Sequence, residues 1–257
     1  MDFFVSKDSI VRTIWGTGDT ILFIFAGSAA EFALNKAVDW LYFTGRLPAD
    51  PIGRLFSTVS YGRKIVFSRQ DDAFKAIDKI TAIHSGVEAA RGAQIPEWAY
   101  RDVLFMLIYY SIASYELLER KMTAAEKEEV YDVFYRMGSR MNLKDLPLSY
   151  IEWLPVRNLH LQQDLEKSKL TLHLYQQYKK HLGPVRYIIL KQAQLLVVPN
   201  LVIKLLNWKN FSYLTPVVPL YKLTRLLRIN WIIKNAFLPP KYKAEIKAFD
   251  TVPSYTV

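Results

Sequence analysis

The chain has no cysteine and four histidines, His84, His160, His173 and His181. That absence removes disulfides, zinc–thiolate sites, thiol nucleophiles and thiolate-ligated iron. If iron is bound, a histidine must hold it. His84 lies in "DKITAIHSGVEAARG", residues 78–92, where Ile77, Ile80 and Val87 share its helical face, so its imidazole is expected to point into a core. Such a ring is either a packed histidine bonded to a backbone carbonyl or a metal ligand. His173 and His181, in "LHLYQQYKKHLGP", fit the cation-favouring end of a helix, and His160, after "LPVRN", shows no partner at helical spacing.

Other motifs are missing. The "GTG" at Gly16–Gly18 lacks a third glycine and a preceding strand, and no HExxH, P-loop, GxSxG or DxDxDG pattern occurs. Asn210 opens an "NFS" glycosylation sequon, but the N-terminus lacks the basic start, apolar middle and cleavage site of a secretory signal, so a cytoplasmic protein is the expectation.

The elements that would position these residues read as helical throughout, and period-two alternation bounded by turns is not found. Asp50 and Pro51 mark one helix start, after which Arg54, Thr58 and Tyr61 fall on one face. Thr123 and Glu126 form a capping box before the stripe Val130, Val133, Phe134, Met137 and Met141. "YRDVLFMLIYYSIASYELLERK", apolar on nearly all sides, should be the central helix. "LPLSYIEWLP" reads as a proline-bounded connector, with further helices over 157–182, 184–206 and 217–235 and a short last one from "LPPKYKAEIKAF". "TILFIFAGSAAEFAL", interrupted by Glu31, and the later apolar run broken by Lys191, Gln192, Gln194, Pro199 and Lys204 are both too short for the ~20 residues that span a bilayer. The fold class is therefore an all-α, single-domain helical bundle.

Charge is unevenly spread. Residues 157–257 hold 16 Lys and Arg against 4 Asp and Glu, while residues 1–156 hold 18 against 20, so the net +10 arises in the C-terminal part. Such a field suits an anionic membrane surface or a merely solvated face; no nucleic-acid motif accompanies the lysines, so nucleic acid is not expected.

Three stretches in order, "DPIGRLFSTVSY", "ITAIHSGVEAARG" and "YELLERKMTAAEKEEVYDVFYRMGSRMNLKDLPLSYIEWL", resemble the haem-dependent oxygenases that include latex-clearing protein (rubber oxygenase) and the mycophenolic-acid pathway oxygenase MpaB. With "FAGSAAEFAL" before and "LPPKY" after, the likeness covers about residues 20–245, flanked by an N-terminal extension, 1–19, and a tail, 246–257. The resemblance implies that His84 is the proximal ligand of haem b, held in a slot between central helices, with Arg54 and Thr58 beside the cofactor. It also implies O2 and an apolar, alkene-containing substrate of prenyl or terpenoid type. A guanidinium and a hydroxyl one turn apart could hold a propionate; alone, Arg54 could equally sit on a solvated face. Arg54 and Tyr61 are the candidates for catalytic groups, with Tyr109 and Tyr110 as pocket lining. The rubber-cleaving members carry a lysine before the matching threonine and a glutamate before that helix; here Ser57 takes the first position, and Glu31 and Asp39 offer no clear match for the second. Rubber is therefore a poor expectation for the substrate.

Overall fold

The computed structural model describes residues 2–226 and 240–251. Its centre is α7 (Glu97–Leu118), whose buried residues lie on every side, as its all-round apolar sequence predicts. Its main partner is α2 (Gly18–Phe32). The two approach so closely that a Cβ on Gly27 would lie 2.2 Å from the Tyr110 ring, so glycine is required there. Around this pair stand α1 (Ile10–Gly16), α3 (Val38–Phe43), α4 (Arg46–Ala49), α5 (Pro51–Phe67), α6 (Gln70–Arg91) and α8 (Ala124–Arg140). The chain continues through α9 (Tyr150–Gln163), α10 (Lys169–Val197), α11 (Asn200–Leu206), α12 (Val217–Leu226) and α13 (Lys243–Phe249). Among the described residues there is no sheet, and the all-α expectation is borne out.

The predicted starts are present. The Asp50 carboxylate accepts from the Gly53 amide at 3.0 Å with Pro51 opening α5, and Thr123 and Glu126 cap α8 reciprocally. The last helix follows the "LPPKY" sequence; Ile246 and Phe249 of α13 pack with Ile21, Phe25 and Val59. Arg63, buried between them, donates to the Phe249 carbonyl at 2.6 Å and the Trp15 carbonyl at 3.1 Å. It thereby satisfies a carbonyl that a helix end leaves open.

Two expectations need correction. The connector over "LPLSYIEWLP" is largely helix: Ser149 caps α9, and Pro155 lies inside it. One lost backbone bond is outweighed by the burial of Trp153, Arg157, His160 and Leu161. The break falls instead after Asp164, where Asp164 and Glu166 bond the backbone of Lys36 and Leu34 at the end of α2. The expected break at Gly183 and Pro184 is present: Gly183 is non-helical, so α10 consists of two helical segments that meet there at a kink. The part of the predicted 217–235 helix beyond residue 226 lies outside the described residues.

The second correction concerns α6. Ala73, Ala76 and Ile77 are buried, but Ile80, His84 and Val87 are only half-buried and Ile83 is exposed. The reason is the length of its neighbour: Arg140, the last residue of α8, pairs with Asp78 at 2.7 Å, so α8 ends beside the middle of α6. The far half of α6 projects past it and is tied at its end by Arg91, which pairs with Asp39 at 2.6 Å and lies 4.0 Å from the centre of the Trp40 ring.

Candidate functional site

On the projecting half of α6, His84 faces α5 and the start of α7. Its Nδ1 is shielded from solvent and has no hydrogen-bond partner. The ring packs at 5.1 Å from that of Tyr100, whose hydroxyl donates to Glu88 at 3.1 Å. Burial and then the nearby Arg54 cation hold the imidazole below its ordinary pKa, against the opposing pull of Glu88. The neutral ring that results keeps a lone pair for a metal.

Arg54 lies where the helical spacing predicted, on the same face of α5 as Thr58. Its Nη1 donates to the Ser57 and Thr58 hydroxyls, each at 3.0 Å. Both hydroxyls in turn donate to the Arg54 carbonyl. No carboxylate partners this guanidinium among the described residues. Burial and then Arg46 lower its pKa, against a smaller pull from Tyr61, so a cation is held near a like charge with hydroxyls as its hydrogen-bond partners. Tyr61, one turn further along, lies close enough to act electrostatically on Arg54.

A second group of polar residues, on α2, α7 and α9, escaped the sequence reading. Arg157 donates to the Glu31 carboxylate at 2.5 Å, and the Tyr110 hydroxyl donates to the same oxygen at 2.8 Å. Burial pushes the Glu31 carboxyl up, against the pull of Arg157. Beside it, Asp102 accepts from Asn35 Nδ2 at 2.6 Å and lies 2.8 Å from His160 Nδ1. Asp164 approaches the same nitrogen at 3.3 Å. His160 therefore does have a partner at helical spacing, four residues on, which corrects the sequence reading. Arg157, His160 and Asp164, at i, i+3 and i+7, were the available signal for one polar stripe on α9. The ligand atoms of Asp102, His160 and Asp164 lie within 4.8 Å of one another and could hold a metal ion. Their spacing is also that of N–H···O bonds, so the His160 proton already occupies the position a cation would take.

The remaining candidates divide clearly. Both ring nitrogens of His173 are engaged, by Tyr42 and by Gln177, each at 3.0 Å. His181 is half-buried beside Leu182. Tyr110 is a core residue with its hydroxyl bonded, whereas Tyr109 lines a cavity of about 410 Å³ together with Ile112, Trp153, Arg157 and Leu161. Another cavity, about 270 Å³, lies between Phe4, Phe74 and Tyr135. Neither of these two is lined by His84, which lies on the half-buried face of α6. Glu31 and Asp39 are committed to Arg157 and Arg91, and neither is directed at His84 by a described contact.

A family model described as "ER-bound oxygenase mpaB/B'/Rubber oxygenase, catalytic domain" matches residues 15–230. No curated protein and no solved structure matches the chain. The match covers most of the sequence, and the chain belongs to this oxygenase family; the resemblance carried by the segments around Arg54, His84 and Thr123 is borne out.

Proposed function

We propose that this protein is a haem b oxygenase that uses O2 to cleave an apolar, alkene-containing substrate of prenyl or terpenoid type, with His84 holding the iron. The observation that carries the reading is the shielded, unpartnered Nδ1 of a histidine kept neutral by its surroundings. Shielded polar atoms without a partner occur elsewhere among the described residues, at Glu31 and Arg157 for instance, but His84 Nδ1 is the one imidazole nitrogen among them, and an imidazole nitrogen can bind iron. The desolvated Arg54 cation supports the same reading, since a propionate would supply the carboxylate that it lacks.

When bound, haem supplies the O2 chemistry. The chain's own residues do the rest. His84 offers its lone pair and fixes the cofactor's orientation; Arg54 and Thr58 hold an acidic edge, and the Tyr100 ring packs against the imidazole. Tyr61 shares the face of Arg54 and is the candidate proton donor to a reacting oxygen.

A second reading, a non-catalytic haem- or lipid-binding protein on the same fold, draws on Ser57 in place of lysine and on the engagement of Glu31 and Asp39 elsewhere. Absorption spectra of freshly prepared protein decide the first point: a Soret band is expected, lost in His84→Ala with the helical circular dichroism unchanged. A protein that takes up no haemin, or binds it equally without His84, overturns the proposal. O2 consumption with terpenoid alkenes separates oxygenase from carrier. A peripheral location at an anionic membrane is part of the proposal, since the substrate is lipid-like; no helix among the described residues is long and apolar enough to cross a membrane.

A further inference from the structure

Helix α12 is mounted with its polar side inward. At 100° per residue, Val217, Leu220 and Leu223 fall within one third of its circumference, with Lys222 and Arg225 opposite. Arg225 pairs with Asp19 at 3.2 Å and Glu119 at 2.5 Å, and Lys222 donates to the Glu119 carbonyl at 3.3 Å. The cations thus bind the helix to the body, and the three aliphatic side chains face outward. A helix at home in water does the reverse.

More apolar surface lies on the second half of α10 and the turn that follows α11. Val185 and Ile188 share a face with Gln192, and Gln192 accepts from the Ser212 hydroxyl at 2.8 Å and the Tyr213 amide at 2.7 Å. Those two bonds fasten the turn that carries Phe211 and Tyr213, whose rings pack at 5.7 Å, to α10 about one helical turn beyond Ile188. All seven residues, on α10, the turn and α12, are between 45% and 71% exposed. Around them Lys191 lies over the Tyr187 and Trp208 rings, and Lys204 and Lys209 are exposed. None of these three lysines has a carboxylate partner among the described residues. Residues 167–244 contain 14 Lys and Arg and no Asp or Glu.

We propose that the second half of α10, the Phe211–Tyr213 turn and α12 form a docking surface for an anionic lipid bilayer. Aliphatic and aromatic side chains facing outward among lysines match the headgroup–acyl boundary, where apolar groups enter and cations remain at the phosphate level. A second copy of this chain fits poorly, because it would bring two acid-free basic surfaces together. Nucleic acid fits poorly too, because the outward residues of α12 are aliphatic. This inference gives the location proposed above its surface, and it does not depend on haem.

Co-sedimentation of the full chain with vesicles tests it, using phosphatidylcholine alone against an equimolar phosphatidylcholine–phosphatidylserine mixture. Binding is expected only to the mixture and should weaken as salt is raised. Leu220→Asp should weaken it about tenfold or more, and Lys209→Glu about fivefold or more. Both sites are exposed, so circular dichroism should be unchanged. Equal binding to both vesicles, or binding indifferent to both variants, overturns the proposal. So does a dimer that Leu220→Asp dissociates while vesicle binding persists. Because sedimentation reads no cofactor, its failure is distinct from the absence of a Soret band.

Discussion

The two polar regions of this molecule treat charge in opposite ways. Between α2, α7 and α9, Glu31 meets Arg157 at 2.5 Å and Asp102 meets His160 at 2.8 Å; each ionic group has a complementary neighbour within the fold. Between α5 and α6, Arg54 is desolvated beside Arg46 and His84, its described partners are hydroxyls, and the histidine's shielded nitrogen has no partner. The first arrangement pairs its opposite charges within the fold, although Glu31 Oε1 and Arg157 Nε and Nη1 are shielded there without a hydrogen-bond partner. The second carries groups that a ligand would complete. A cation without a carboxylate beside an imidazole nitrogen without a partner, rather than buried polarity as such, is therefore the mark of the candidate site, consistent with the tendency of perturbed ionisable groups to collect at functional sites.

The sharpest way to break this comparison is at the compensated end. Arg157→Met should cost about 3–5 kcal/mol of stability by leaving Glu31 buried and unpaired, measured by urea unfolding; adding Glu31→Leu should restore much of the loss. If the single and double variants lose equally, Glu31 and Arg157 do not act as a pair. Next in size, Asp102→Ala removes the acceptor for both Asn35 and His160 and should cost about 1–3 kcal/mol.

At the uncompensated end the expectation reverses. Arg54→Leu should change stability without ligand by less than about 1 kcal/mol, because relief of a desolvated cation offsets two lost bonds to hydroxyls, yet should weaken haem binding about tenfold. A haem titration alongside the unfolding curve reads both. A large stability loss with unchanged haem affinity would make Arg54 structural.

The smallest effect is one of pH. His84 is held below the ordinary value of about 6.5, so the folded chain takes up a proton less readily than the unfolded one. Its contribution is present above that value and lost as pH falls through the depressed folded pKa. Haem release on acidification should therefore have a midpoint below that of an ordinary imidazole, and Arg54→Leu, by removing a neighbouring cation, should move it upward. A midpoint unmoved by that substitution would deny the coupling.

Much of this was legible in the sequence for physical reasons that can be named. Asp50–Pro51 and Thr123–Glu126 are local signals, read within four residues, and both appear as caps. The all-round apolar character of α7 predicted its central place. What failed depended on distant neighbours. The core around His84 was inferred from its own helix, whereas burial is set by where α8 stops, at Arg140 beside Asp78. Proline at 155 was read by its local penalty, which tertiary burial of Trp153 and His160 overrides. Glu31 was noticed as an interruption in an apolar run, but its partner is 126 residues away, and no spacing rule reaches that far. Only the His160–Asp164 contact was within helical reach and overlooked.

Gly183 has φ 73° and ψ 171°, a conformation open essentially to glycine alone, and space around it is empty. An alanine would therefore fit by volume and be refused by the backbone. That single residue fixes the angle between the buried start of α10 and its outward-facing end. It acts as a carpenter's mitre, so a methyl group added there would change the angle between the bundle and the surface proposed to meet a bilayer, without touching either.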